Sequence, residues 1–368
     1  MSHRERRFAV IGAGHGGKSM AAHIALMGYP VALYNRTPEH IAAIKLRGGI
    51  ELESCEGGPR GFARLDLVTA DVGEALAQAE VIMVVIPSTG HADVARIVAP
   101  HLGDGQVIVL NPGRTGGAFE FVHTLARCEC RADVTVAEAE TLLYASRSEG
   151  PAQARIFRIK EAVPIAALPA SRTEQVLELL APAFPQFIDG QSVLHTSLNN
   201  MGAIFHPALT LLNAGRIEST GGAFQFYVEG ATRSVACVLE TLDRERVTVA
   251  AALGIRAQTG LEWLRKAYDA TGEDLYEAIQ NQPGYRGITA PSTLNHRYIT
   301  EDVPMSLVPI AALGQRYGVS VAGIDSIIRL ACVVHRTDYW RRGRTLDKLG
   351  IDQLSVHEVM RFAMEGVR

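Results

Sequence analysis

Two groups of residues in this chain have the types and spacing to do chemistry. The first is a glycine cluster near the start, Gly12-Ala13-Gly14-His15-Gly16-Gly17, in which Gly12, Gly14 and Gly17 form G-x-G-x-x-G. A short apolar run from Phe8 precedes it, a small-residue helical pattern follows, and a second apolar run begins at Val31. Strand, glycine turn, helix and strand in that order is the context in which the pattern holds a dinucleotide. Gly12 permits the tight turn, Gly14 lets the backbone approach a pyrophosphate, and Gly17 lets helix and strand pack closely. The helix N-terminus behind the turn then faces the phosphates with its amides and its dipole.

The end of the second strand reads Asn35-Arg36-Thr37. An NAD-selective turn usually carries Asp or Glu here, accepting hydrogen bonds from the ribose 2′-hydroxyl. A neutral amide beside a guanidinium instead suits a 2′-phosphate, which Arg36 can pair through two bonds. The expectation is therefore NADP(H), with NAD(H) also accepted if Arg36 is only a solvated surface charge. Ile86-Pro87 and Asn111-Pro112 end two further apolar runs. Ligands of open α/β sheets bind at such strand ends, so these residues either shape a nicotinamide pocket or are plain turns.

The second group lies further on. His206 sits in the apolar stretch LNNMGAIFHPALTLLN, and Asn199, Ala203 and His206 share a face if that stretch is one continuous helix. Such a histidine either lines a cleft or is a hydrogen-bonded core residue, and spacing alone favours the core. Arg297 and Asp302 lie in a proline-flanked stretch of mixed polarity. Arg297 could clamp a carboxylate and Asp302 could orient an imidazole and stabilise its protonated form. Spacing alone favours the plainer reading, a surface Arg–Asp ion pair of little energetic worth.

These residues need a frame to hold them. Apolar runs at Val81–Ile86, Val107–Leu110 and Val134–Ala139 alternate with helical stretches, which predicts a parallel doubly wound sheet. Beyond Gln186 long helical patterns dominate. The clearest runs from Phe226 to Leu253, where Val228, Thr232, Val235, Leu239, Leu242, Val249 and Leu253 draw one stripe that only Arg246 interrupts. The fold expected is α/β: an N-terminal Rossmann doubly wound sheet over residues 1–188, followed by an all-helical second domain over 189–368.

Composition narrows the function classes. The chain has 368 residues, 47% hydrophobic and 20% charged, with a formal charge of −3, enough to bury a large core and no basic footprint for nucleic acid. No apolar run approaches the roughly 18–20 residues that span a bilayer, and no signal-peptide pattern opens the chain, so a cytoplasmic protein without a membrane partner is expected. The five cysteines include Cys128 and Cys130 as a C-x-C, which is no redox or zinc spacing. They read as reduced thiols, and no metal site is expected.

Taken together, the glycine turn, Leu110-Asn111-Pro112-Gly113, HTSLNN ahead of His206-Pro207, GYRGI, and RYITEDVPMSLVP resemble the octopine/opine dehydrogenase family over nearly the whole chain. Within that family the likeness is to the bacterial N-(1-carboxyethyl)-amino-acid dehydrogenases. The resemblance implies reductive condensation of a 2-oxo acid with the amino group of an amino acid through an imine, and the reverse oxidation. It implies His206 as general acid/base, Asp302 as its partner, and Arg297 on the keto-acid carboxylate. One position departs from the family pattern: where relatives carry Asn one helical turn before this histidine, the chain has Gly202. That bears on substrate contacts more than on reaction type.

Two other readings compete. Ketopantoate reductases and glycerol-3-phosphate dehydrogenases share the architecture but use a lysine in or near the second domain. Of the chain's Lys18, Lys45, Lys160, Lys266 and Lys348, only Lys266 falls well inside the helical half, in no catalytic-looking pattern. A non-catalytic NADP(H)-binding sensor would have no need of His206, Arg297 and Asp302. Phe205, Phe224, Phe226, Trp263 and Tyr285 would suit an apolar or aromatic amino acid, though at helical spacing they are more often core. Long helices in a second domain often pair copies of a chain, so a homodimer is the assembly to look for.

Overall fold

The computed structural model describes residues 6–55 and 57–367. The chain divides into two compact units, Met1–Thr196 with Glu358–Arg368, and Ser197–His357. The sequence places the change of pattern at 188/189; the contacts change eight residues later, and the last helix counts with the first unit. The reason is visible at both ends. Thr196 donates to the buried Glu138 carboxylate at 2.7 Å, and Phe362 of the C-terminal helix Val356–Glu365 packs its ring 5.6 Å from Phe119.

The first unit holds an eight-stranded sheet in the order β12-β11-β8-β7-β6-β1-β2-β5. Its strands are β1 (Phe8–Ile11), β2 (Val31–Tyr34), β5 (Leu67–Thr69), β6 (Val81–Val84), β7 (Val107–Leu110), β8 (Thr135–Ala139), β11 (Val163–Leu168) and β12 (Phe187–Asp189). Pairing is parallel from β5 across to β8, as the alternating pattern predicts. β1, β6 and β7 are buried at every residue, which is why they read as unbroken apolar runs. β11 then pairs antiparallel to β8, so the last two strands run against the rest.

A second sheet was not foreseen. β3 (Gly49–Ser54), β4 (Gly61–Arg64), β9 (Tyr144–Gly150) and β10 (Gln153–Ile159) form it in the order β4-β3-β10-β9. The helix His15–Leu26 packs against all four of these strands as well as against β1 and β2. Every residue from Gly17 to Ile24 is therefore buried, as expected of a helix apolar all round. Its three polar exceptions are satisfied: Ser19 Oγ donates to His15 O at 2.9 Å. Lys18 Nζ donates to Ser148 Oγ at 2.9 Å and Gly150 O at 3.1 Å, and His23 Nδ1 meets the Tyr144 hydroxyl at 2.8 Å.

The second unit is helical, with one isolated bridge between Gln225 and Thr289. The long helix expected from Phe226 begins only at Arg233 and runs to Ala252, with the Thr232 hydroxyl accepting from Val235 N as its cap. Val228 and Thr232 match the stripe in spacing yet lie before the helix. Leu239, Leu242, Val249 and Leu253 are buried as predicted. Arg246, the interruption, is buried too: its guanidinium bonds Asp243 and the carbonyls of Leu198 and Gln258. Among the described residues no helix is long and apolar enough to cross a membrane.

Candidate active site

The three glycines of the turn do three different things. Gly12 has φ +109°, and a Cβ there would lie 2.5 Å from Val85 O and 2.6 Å from the Ile86 side chain. A Cβ on Gly17 would lie 1.8 Å from Gly12 O, so helix and strand meet at a distance only glycine allows. Gly14 has nothing within 4 Å of where its Cβ would be. This open cradle at the N-terminus of the His15–Leu26 helix fits a pyrophosphate.

The neighbouring residues hold the turn from both sides. Asn35 Oδ1 accepts from Ala13 N at 3.2 Å, and its amide donates to Thr37 O at 3.0 Å. Asn35 thus braces the turn against the end of β2, while Arg36 beside it is exposed. Thr37 caps the short helical turn Pro38–His40 through its backbone, with no side-chain cap bond. His15 Nδ1 accepts from Ser148 N of β9 at 2.8 Å, and a Cβ on Gly16 would sit 3.0 Å from Leu142.

Ile86 and Pro87 follow β6 directly; Ile86 is half-buried against Gly12 and Pro87 is exposed. Asn111 is buried at the end of β7, where its amide donates to Val109 O at 2.9 Å. Its Oδ1 is buried with no hydrogen-bond partner among the described residues. An orphaned acceptor at the carboxyl edge of the sheet fits a ligand that brings a donor, such as a carboxamide.

In the second unit, His206 stands on the helix Gly202–Leu212. Its Nδ1 meets Asp302 Oδ2 at 2.8 Å; the histidine side chain is 20% exposed and the aspartate 0%. Tyr298 stacks on the imidazole with ring centroids 4.0 Å apart and 19° between planes, and Phe226 stacks on Tyr298 with centroids 5.3 Å apart. The aspartate enters from a turn of π-helix, Val303–Leu307, an irregularity frequent at functional sites. Asn200 donates to Ser306 Oγ of that turn at 2.9 Å, a buried bond.

The continuous face of Asn199, Ala203 and His206 does not form. One helix ends at Leu198 and the next begins at Gly202, and Asn199 Oδ1 instead accepts from Gln258 N at 2.9 Å. Arg297 pairs with Glu301 at 2.9 Å, one turn along its short helix, rather than with Asp302, and remains 54% exposed. His296, which sequence reasoning passed over, is the neighbour common to all three residues. Burial pushes its pKa down, the charges of Arg297 and His206 push the same way, and Asp302 opposes them. Its signal was proximity to Arg297 in the chain, where a third titratable side chain in one stretch invited attention.

Four of the aromatic residues noted in sequence, Phe205, Phe226, Trp263 and Tyr285, belong to one connected array, while Phe224 lies under the Arg216 guanidinium. Tyr227 stacks on Tyr285 at 4.1 Å and on Phe226 edge-on at 5.1 Å, and Phe205 meets Trp263 at 6.1 Å. Phe205, Phe224, Phe226 and Tyr285 are buried. Among the described residues, no group of three or more His, Cys, Asp and Glu is placed to hold a metal ion.

Comparison with known proteins covers both units. A family model described as "NAD/NADP octopine/nopaline dehydrogenase, alpha-helical domain" matches residues 189–335. One described as "NAD binding domain of 6-phosphogluconate dehydrogenase" matches residues 7–112. The chain is 41% identical over 350 residues to "Opine dehydrogenase" of Arthrobacter sp. (strain 1C), covering 95% of this chain and 96% of that one. Two solved structures are similar in fold. Octopine dehydrogenase with NADH and L-arginine has TM-score 0.83 at 20% identity, covering 96% of this chain and 98% of the other. Yersinopine dehydrogenase with NADP+ bound has TM-score 0.74 at 14% identity, covering 98% of each chain.

Proposed function

The chain belongs to the opine dehydrogenase family, and from that premise we propose that it uses NADPH to reduce the imine formed from a 2-oxo acid and an amino acid. It is an NAD(P)-dependent oxidoreductase acting on CH–NH bonds. The observation that carries the finer reading is the 2.8 Å contact between His206 Nδ1 and the fully buried Asp302.

A bound reduced nicotinamide supplies a hydride to the imine carbon. The chain's own residues do the rest. With Nδ1–H donated to Asp302, His206 is left with Nε2 to exchange a proton with the substrate nitrogen. Asp302 stabilises the imidazolium that carries this proton and fixes the ring, whose plane the stacked Tyr298 also sets. Arg297, half-exposed and steadied by Glu301, holds the carboxylate of the oxo acid through paired hydrogen bonds. In the oxidative direction His206 accepts the proton it would otherwise give.

NADP(H) is preferred because the end of β2 offers a guanidinium and no carboxylate. Asn35 is occupied in bracing the glycine turn, which leaves exposed Arg36 to meet a 2′-phosphate.

Initial rates of NADPH and NADH oxidation with pyruvate, with and without a panel of L-amino acids, test this. An amine-dependent rate, faster with NADPH, is expected. A rate with pyruvate alone would make the protein a simple keto-acid reductase. Tight dinucleotide binding with no turnover on any pair would favour a sensor.

A further inference from the structure

Arg297 by itself is a weak site for a carboxylate. Its Nη2 already lies 2.9 Å from the Glu301 carboxylate, which is 3% exposed, and the next residue is the fully buried Asp302. Two buried acids beside one half-exposed guanidinium leave little net positive charge to meet an incoming anion. A further hydrogen-bond donor would make up the difference. We infer that His296 is that donor: its Nε2–H binds the carboxylate of the 2-oxo acid beside the Arg297 guanidinium. The inference rests on the opine dehydrogenase reading and adds to it a residue of the same helical unit.

His296 directly precedes Arg297 and is half-buried at the start of the short helix Arg297–Thr300. Its Nδ1 accepts from Tyr298 N at 3.4 Å, so the neutral ring carries its proton on Nε2. Among the described residues that nitrogen has no hydrogen-bond partner. The imidazole meets the Tyr298 ring edge-on, with centroids 4.4 Å apart and 78° between planes. His206 lies stacked on the same tyrosine at 4.0 Å. One tyrosine therefore carries both imidazoles, and the free N–H belongs to the cluster that holds the acid/base.

Its surroundings keep this second imidazole neutral. Burial is the largest influence lowering its pKa below 6.5; Arg297 and His206 add to it, and Asp302 opposes them. At neutral pH His296 thus offers a donor without placing another cation beside His206, which must itself take up a proton during the reaction. A lysine or arginine at this position would resist that proton.

The side chain also caps its helix through Nδ1, and two substitutions separate the roles. Glutamine places an amide nitrogen near the Nε2 position and gives up the cap. Asparagine keeps an acceptor near the Nδ1 position and gives up the outer donor. The test uses the full-length enzyme with NADPH, pyruvate and the best amino acid from the panel. His296→Asn should raise KM for pyruvate about tenfold or more, the scale of a lost hydrogen bond to a charged group, with a smaller change in kcat. His296→Gln should stay closer to wild type, and KM for the amino acid should not follow either change. The dissociation constant of oxamate, an unreactive mimic of pyruvate, from the enzyme–NADPH complex should show the same order without any turnover. If glutamine were the worse of the two, His296 would be a helix cap and the inference would fall. It would fall equally if both variants kept the wild-type KM for pyruvate, or if the rise were shared by the amino acid. Oxidation of NADPH by wild type with pyruvate and no amine would instead end the opine reading, and the oxamate series would still judge His296.

Discussion

At the glycine turn the working parts are places where side chains are missing; at the histidine–aspartate pair they are two side chains brought together from positions 96 residues apart. The turn is a contiguous run, and its geometry follows from three positions without a Cβ, two of them because backbone would be struck and one because nothing is there. The pair depends on a helix, a π-turn and a stacked tyrosine arriving in one place. A function made of absences fails when atoms are added, and one made of presences fails when atoms are taken away.

The largest effect is expected from subtraction at the pair. His206→Asn should lower kcat by about 10²- to 10⁴-fold, the usual contribution of a positioned acid/base, while the dissociation constant for NADPH, read by fluorescence, stays put. Asp302→Asn should cost on the order of 10²-fold or more in kcat, through loss of the correct tautomer. If both variants weakened NADPH and turnover equally, the two regions would not be separable and the assigned roles would fall.

Addition at the turn comes next. Gly17→Ala puts a methyl into Gly12 O and should cost about 1–3 kcal/mol of stability, as overpacking does, along with dinucleotide binding. Gly14→Ala should leave the melting temperature of the free protein near wild type and weaken only the cofactor. Equal melting temperatures for the two variants would contradict the division of labour among the glycines.

The helix behind the turn supplies a pH-dependent comparison. Burial lowers the pKa of His23 from 6.5 to about 4. Below pH 6.5 the unfolded chain takes a proton on this imidazole that the folded chain refuses, so stability falls from about 6.5 down to about 4 and the slope then ends. The whole loss is on the order of 3 kcal/mol. Urea midpoints across this range should show it in wild type and lose it in His23→Leu; parallel profiles would remove His23 as the cause.

Asn35→Asp should have the smallest effect on the fold and a specific effect on the cofactor. An aspartate can still accept from Ala13 N, so the brace survives, but its charge repels a 2′-phosphate. The ratio of kcat/KM for NADPH over NADH should drop about tenfold or more. An unaltered ratio would leave Arg36 as a surface charge.

The same contrast explains what could be read from the sequence. The glycine turn, β1, β6 and β7 were legible because their signals are local: burial on both faces leaves apolar runs, and steric need leaves glycine. The second sheet was not. Only Ala154 and Ile156 mark the inner face of β10, and exposed Phe157 breaks the alternation. The false start of the long helix came from Val228 and Thr232 falling on the right spacing, although Gly230-Ala231-Thr232 already carried a stop and a cap. Arg246 looked like a flaw in an apolar stripe because, although Asp243 stands one turn before it, the two carbonyls that complete its bonding, of Leu198 and Gln258, come from the fold. His206 and Asp302 were nominated by family resemblance and not by spacing, since nothing local in either stretch predicts a partner so far along the chain.

The return of the C-terminal helix to the first unit has a consequence for synthesis. A ribosome delivers the eight-stranded sheet early, yet Phe362, which covers Phe119, is made only after the whole second unit, Ser197–His357. Until then the dinucleotide unit exists with a bare apolar face while the whole helical unit is being translated. The nascent chain therefore passes through a long stage in which its first unit needs protection from aggregation. A stop codon just before the helix Val356–Glu365 would make that stage permanent.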